Sequence, residues 1–195
     1  MLLEGIKIGY ALTGSFCTFN KTVPQIENLI NEGAEVIPII SQAVNDFDTR
    51  FGTAEDLKAK LKQITGKTPI STIIEAEPFG PKAILDILVI APCTGNTIAK
   101  IANAITDSSV TMACKAHLRN ARPVVIAVST NDGLSANAKN IGVLLNTKNV
   151  YMVPFGQDDP IKKCTSLVAD FDKIVPTVVE ALKNNQIQPI LIHKN

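Results

Sequence analysis

Ile87-Leu88-Val89-Ile90-Ala91, running into Pro92-Cys93-Thr94-Gly95-Asn96-Thr97, reads as a strand followed by a helix. The first five residues are apolar at every position, so both faces of the strand are covered, as in the middle of a parallel sheet. Pro92 stops the run, and Ile98, Ile101, Ala102 and Ile105 then recur at helical spacing. The same alternation extends in both directions. Upstream, Ile6–Leu12 is an apolar run broken by Thr13-Gly14-Ser15, and Phe19, Val23, Ile26 and Ile30 mark one face of a helix. Pro24 belongs near the first turns of that helix, and Gly33 suits its left-handed cap. Ala34–Ser41 is a second strand, in which Pro38 demands an edge-like position or a bulge. Thr53 opens a helix with Leu57, Leu61 and Ile64 inward. Residues 66–82, rich in Pro and Gly, read as an irregular loop with a short strand at Ile73-Ile74.

Downstream, a helix from Ser108 buries Val110, Ala113, Cys114 and His117, and Pro123–Val128 is a second central strand. Residues 135–146 read as helix, Val150–Val153 as strand and residues 166–184 as a closing helix. Strands alternating with helices imply an α/β fold: a single-domain, three-layer parallel sheet of Rossmann or flavodoxin type. One domain is expected to span residues 1–195, with a core over about 5–184 and a tail over 185–195.

Composition narrows the function. The formal charge is +1 and aromatic residues make up 5% of the chain without a Trp, so neither an electrostatic surface nor a base-stacking platform points to nucleic acid. No apolar run approaches the ~20 residues of a membrane span. The opening MLLEGIKIGYALTG carries an acid and a lysine and reads as a buried strand, not an export signal. The four cysteines, Cys17, Cys93, Cys114 and Cys164, form no CxxC pair and read as reduced thiols in a cytoplasm. With only His117 and His193 as histidines, no metal site is expected.

In an open α/β sheet, ligands bind beyond the carboxyl ends of the strands, where strand order reverses. The segments there are Thr13-Gly14-Ser15, Ser41, Pro92–Thr97 and Ser129-Thr130-Asn131-Asp132-Gly133. All are small, hydroxylated or amide-bearing, and none holds a Lys or Arg. A turn entering a helix can take a phosphate on free N–H groups without a lysine; the same turn serves equally as an ordinary strand-to-helix connection. A dinucleotide fingerprint would want three glycines in the first turn and an acid after the second strand. Gly14 stands alone and the second strand ends in Ser41, which favours a mononucleotide or phosphate ligand. Three polar side chains and a glycine crowd the 93–97 turn, more than a helix cap requires. Cys93 has no histidine near it in sequence and reads as a packed thiol. His117 reads as a satisfied structural histidine near a helix C-terminus.

At these residues the chain resembles the homo-oligomeric flavin-containing cysteine decarboxylase family, which includes phosphopantothenoylcysteine decarboxylases and flavin prenyltransferases. The family's T-G-S turn matches Thr13–Ser15, and its flavin motif A-P-A-T-A-N-T-x-A-K-x-A matches Ala91–Ala102 with Cys93 and Gly95 in place of alanines. Asp107–Thr111 resembles its D-N-L-L-T segment, and the likeness spans residues 5–184. The resemblance implies FMN as cofactor, with Thr13, Gly14, Ser15 and Ser41 on the phosphate and Cys93, Thr94, Asn96 and Thr97 on the ring and ribitol. It implies a homo-oligomer, a trimer or dodecamer, holding flavin where two copies meet. Two departures stand out. The decarboxylases use a histidine after the second strand, and no residue between Ile40 and Leu88 is His. Their clamp P-A-M-N-x-x-M-W reads Val128–Ser135 here, keeping only Asn131.

Ala91–Ala102, Glu75–Pro81 and Ser129–Leu134 look most like a branch that forms one half of a two-component oxidoreductase. That likeness implies a partner protein, and oxidation of a small dihydropyridine dicarboxylate in the mother cell of a sporulating bacterium. Asn131 would face the substrate. No base is identified; Asp132, Glu75 and Glu77 are candidates that read more readily as solvated surface charges. The alternatives are a flavin-dependent decarboxylase or prenyltransferase and a non-catalytic scaffold.

Overall fold

The computed structural model describes residues 1–193; the last two residues of the expected tail lie outside the described residues. Five parallel strands form the centre: β1 (Lys7–Leu12), β2 (Glu35–Ile40), β3 (Ile87–Cys93), β4 (Val124–Thr130) and β5 (Val150–Met152). Their order is β2-β1-β3-β4, with β5 alongside the first half of β4. This is the 2-1-3-4-5 order of the flavodoxin-like sheet, whose switch point lies between β1 and β3. β3 and β4 are buried along nearly their whole length, as their unbroken apolar runs require.

Pro38 sits on edge strand β2, where its missing N–H costs no ladder bond. Beyond that edge, Ile70 N–H donates to Pro38 O at 2.9 Å and Ile40 N–H donates to Ile70 O at 2.8 Å. Helices cover both faces. α1 (Phe19–Asn31) and α8 (Ile174–Leu182) pack on one side. α5 (Gly95–Ala102), α6 (Ser109–Arg119) and α7 (Ala138–Leu145) lie on the other. α2 (Gln42–Asp46) and α3 (Ala54–Thr65) follow β2, and Thr53 caps α3 by accepting from Asp56 N–H at 3.1 Å. Gly33 has φ +96, and a Cβ there would approach Glu4 to within 2.7 Å, so the left-handed exit from α1 needs glycine.

The structure corrects several of these expectations. Ile73-Ile74 is helix, not strand: Thr72 and Glu75 form a reciprocal capping box that opens α4 (Ile73–Ala76). Residues 166–169 are not helix: β6 (Phe155–Asp159) and β7 (Lys163–Ala169) form an antiparallel hairpin. The hairpin takes the free edge of β4 beyond the end of β5, with Ser129 opposite Val168 and Thr130 opposite Leu167. The closing helix starts only at Ile174, after a 3-10 turn capped by Asp170. Pro92 does not end its strand: β3 continues through it to Cys93 with a register shift against β4, whereas Pro24 sits as expected, in the second turn of α1. α7 begins at Ala138 because residues 131–137 are turns.

Candidate functional site

The turns after β1, β2 and β3 meet at the switch point. Ser41 N–H donates to Leu12 O at 3.0 Å, and Gly14 lies against Ala43 at the start of α2. Thr13 Oγ1 donates to Pro92 O at 2.7 Å and accepts from Thr94 N–H at 2.9 Å. One buried hydroxyl therefore ties the first turn to the third. Ser109, the first residue of α6, donates its hydroxyl to Ile40 O at 2.6 Å and brings a fourth segment to the same corner. Ser15 Oγ and Ser129 Oγ share a hydrogen bond of 2.8 Å, which joins the β1 turn to the end of β4.

A cavity of about 890 Å³ opens beside this corner, within the size range of sites that hold a drug-sized ligand. Gly14, Ser15, Thr94 and Asn131 lie on its wall, together with the first turn of α1 and the β6–β7 hairpin. Asn131 is exposed, its backbone carbonyl takes the Thr165 hydroxyl at 2.6 Å, and its side-chain amide has no partner among the described residues. Thr94 caps α5 by accepting from Thr97 N–H at 3.4 Å.

The other expected residues do not line the cavity. Thr13 is 1% exposed and spends its hydroxyl on the two bonds above. Cys93 is fully buried, and burial, with the Cys114 thiol as a weaker second cause, raises its thiol well above the ordinary range. Cys114 is pushed up to about 12 by burial. Both thiols stay protonated at neutral pH, which bars a nucleophilic role. Thr97 is buried within 3.2 Å of Thr94 Oγ1, whereas Asn96 is exposed with no side-chain partner among the described residues. Ser41 Oγ is buried and is the one buried side-chain oxygen left without a hydrogen bond among the described residues. An orphaned hydroxyl beside Gly14 suits an acceptor supplied from outside the chain, such as a phosphate oxygen.

Asp132 is not a free carboxylate. It accepts from Thr130 Oγ1 on one oxygen and from Asn137 Nδ2 at 2.8 Å on the other. Asn140 Nδ2 donates to Asn137 Oδ1 at 2.8 Å, and Asn103 Nδ2 to Asn140 Oδ1 at 3.3 Å. This chain of side chains fastens α5 and α7 to the end of β4. Glu75 is held below the usual carboxylate range by the Thr72 hydroxyl and the Ser71 and Thr72 N–H groups of its cap. Glu75 and Glu77 lie outside the cavity, on a segment that packs against α6. His117, expected to be satisfied, is 1% exposed with both ring nitrogens unbonded. Burial first, then the neighbouring Arg122, lowers its pKa to about 4 against a weaker pull from Asp86.

The four strand-end segments lack Lys and Arg, but the cavity does not. Lys21 of α1, Arg50 of the loop after α2 and Lys163 of β7 reach its wall. These lie away from the strand ends, so reading those ends alone could not find them. Asp158, Asp170 and Asp172 also line it, and Lys163 is paired with Asp158 at 2.7 Å.

A model of the Flavoprotein family matches residues 2–183. The chain belongs to the Flavoprotein family. This flavoprotein is 51% identical over 190 residues to the B subunit of dipicolinate synthase from Bacillus subtilis (strain 168), covering 97% of this chain and 95% of that one. The crystal structure of the B subunit of dipicolinate synthase from Bacillus halodurans C is 48% identical, covers 100% of both chains and superposes with a TM-score of 0.92. The FMN-dependent cysteine decarboxylase SpaF shares the fold of this flavoprotein at 20% identity, with a TM-score of 0.67 over 94% of this chain and 98% of that one. Among the described residues, no helix is long and apolar enough to cross a membrane.

Proposed function

We propose that this chain is the B subunit of a dipicolinate synthase. It holds FMN at the β1/β3 switch point and takes part, with the A subunit of that enzyme, in oxidising dihydrodipicolinate to dipicolinate. The observation that carries this is the 51% identity to a dipicolinate synthase component across nearly the whole of both chains. The cofactor half is supported by the meeting of the 13–15, 41 and 93–97 turns beside a cavity of about 890 Å³.

When bound, FMN would supply a hydride acceptor for aromatisation of the dihydropyridine, whose second hydrogen leaves as a proton. The chain's part is to bind and orient. Gly14 offers its backbone N–H and Ser15 its hydroxyl to the phosphate, and Ser41 adds a donor that has no partner within the protein. Thr13 fixes the spacing of the first and third turns. Thr94 and Thr97 shape the start of α5, where Asn96 presents its free amide to the ring, and Cys93 backs that turn from the core. Asn131 turns an unpaired amide to the cavity for the substrate. Asp132, next to Asn131, is held by Thr130 and Asn137. The assembly is expected to be a homo-oligomer, trimer or dodecamer, in the cytoplasm of the mother cell.

Two measurements test this. Purified protein should show flavin absorption, or take up added FMN, and Asn96→Leu should weaken retention without loss of fold. Co-expression with the A subunit should form dipicolinate from dihydrodipicolinate at a rate that drops when this chain is left out. A chain that takes up no FMN would end the cofactor assignment, and an undiminished rate would end its place in the synthase.

A further inference from the structure

Arg50 and Phe51 are the two central residues of a tight turn. Thr49 N–H donates to Gly52 O at 3.0 Å, and Gly52 N–H donates back to Thr49 O at 3.1 Å. The Thr49 hydroxyl accepts from Phe51 N–H at 3.1 Å, and Asp48 Oδ1 accepts from Ala54 N–H at 2.9 Å, which fastens the turn to the start of α3. The turn is thus held at both ends while its tip reaches the cavity. At the tip the Arg50 guanidinium lies 4.9 Å from the centroid of the Phe51 ring. A guanidinium stacked on a ring keeps its fork of donors free along its edge.

The charges around the cavity are unevenly spent. Lys163 is ion-paired with Asp158. Asp172 accepts from Gln25 Nε2 at 3.0 Å, and Asp170 caps the 3-10 turn before α8. Neither Arg50 nor Lys21 has a carboxylate or hydrogen-bond partner among the described residues. The two signs also sit at different ends. Gln25 and Asp172 border a surface groove with Asn28 and Glu32. Phe51, Phe16 and Asn20 border a separate apolar pocket under α2 and α3. Arg50, next to Phe51, therefore belongs to an aromatic end of the cavity, away from Asp172.

We propose that Arg50 is the residue that recognises the substrate: its guanidinium takes a carboxylate of the dihydropyridine dicarboxylate, and of the planar pyridine dicarboxylate it becomes, with the ring beside Phe51 and Phe16. This rests on the dipicolinate synthase reading and adds a site residue to it. A bidentate guanidinium–carboxylate pair matches this ligand in geometry as well as charge. Flavin phosphate is the competing anion. Its fitting partners are the Gly14–Ser15 turn and the orphaned Ser41 hydroxyl.

The test is calorimetric titration of pyridine-2,6-dicarboxylate into the purified chain, with and without added FMN, alongside FMN uptake followed by absorbance. Arg50→Met should weaken dicarboxylate binding by about tenfold or more, leave FMN uptake unchanged, and erase the preference over pyridine-2-carboxylate. Arg50→Lys should recover part of the loss. Unchanged dicarboxylate affinity in Arg50→Met overturns the assignment, as does a wild-type chain that binds no dicarboxylate. A selective loss of FMN uptake in Arg50→Met also overturns it and gives Arg50 to the phosphate. A wild-type chain that refuses FMN yet binds the dicarboxylate through Arg50 ends the cofactor reading alone, because the titration without FMN stands apart from it.

Discussion

At position 95 an added Cβ would lie 2.5 Å from Thr130 Oγ1, 2.6 Å from Asn137 Nδ2 and 2.7 Å from Asp132 Oδ1. The flavin motif that the chain resembles has alanine there, so the glycine and the Asp132 network go together. With a methyl group at 95, either α5 or the Thr130–Asp132 turn must retreat. Gly95→Ala should therefore destabilise the fold by about 1–3 kcal/mol, measured by urea unfolding. It should also weaken FMN uptake, since the 94–97 turn is displaced. In a double-mutant cycle with Asp132→Ala, the coupling should reach at least about 0.5 kcal/mol. Strict additivity would mean that the carboxylate is not what excludes the methyl group.

α6 shows how an element's place sets a residue's chemistry. Its buried face carries Val110, Ala113, Cys114 and His117, the positions that helical spacing selects. His117 falls at the end of that stripe with neither ring nitrogen bonded, so it folds neutral. The unfolded chain takes up a proton near pH 6.5, whereas the folded chain resists until about pH 4. Stability should thus be level above pH 6.5 and fall by a few kcal/mol as the pH drops from about 6.5 to about 4. His117→Leu should remove that part of the acid sensitivity and cost little at pH 7, because it also removes two unsatisfied nitrogens. Denaturant unfolding of both proteins at several pH values measures the difference. Parallel curves would show that His117 is not the group responsible.

The whole molecule is held by one continuous apolar cluster that runs from Leu3 to Ala181 and includes every residue of β3 except Pro92. Leu88, fully buried in that strand, pairs with β1 on one side and β4 on the other. Leu88→Ala should cost about 2–5 kcal/mol and shift the unfolding midpoints by far-ultraviolet circular dichroism and by tyrosine fluorescence together. Midpoints that separate would mean that the β6–β7 hairpin melts apart from the parallel sheet.

The alternation of strands and helices, the central position of Ile87–Ala91 and the turns that meet at the β1/β3 switch point are all written in the order of the residues. Those signals are local: continuous apolar runs, helical spacing, a proline that only an edge strand tolerates. The capping box at Thr72 and Glu75 is equally local, but the Pro and Gly around it mask the single helical turn it opens. Residues 163–169 pair locally with β6, but only long-range packing docks that hairpin on the free half of β4, which lies far away along the chain. Packing also turned Cys93 and Thr13 inward, tied Asp132 into a polar network and brought Arg50 and Lys21 to the cavity. Which face a side chain presents, and which charge stands unpaired beside it, depend on contacts between distant segments, and no window of neighbouring residues contains them.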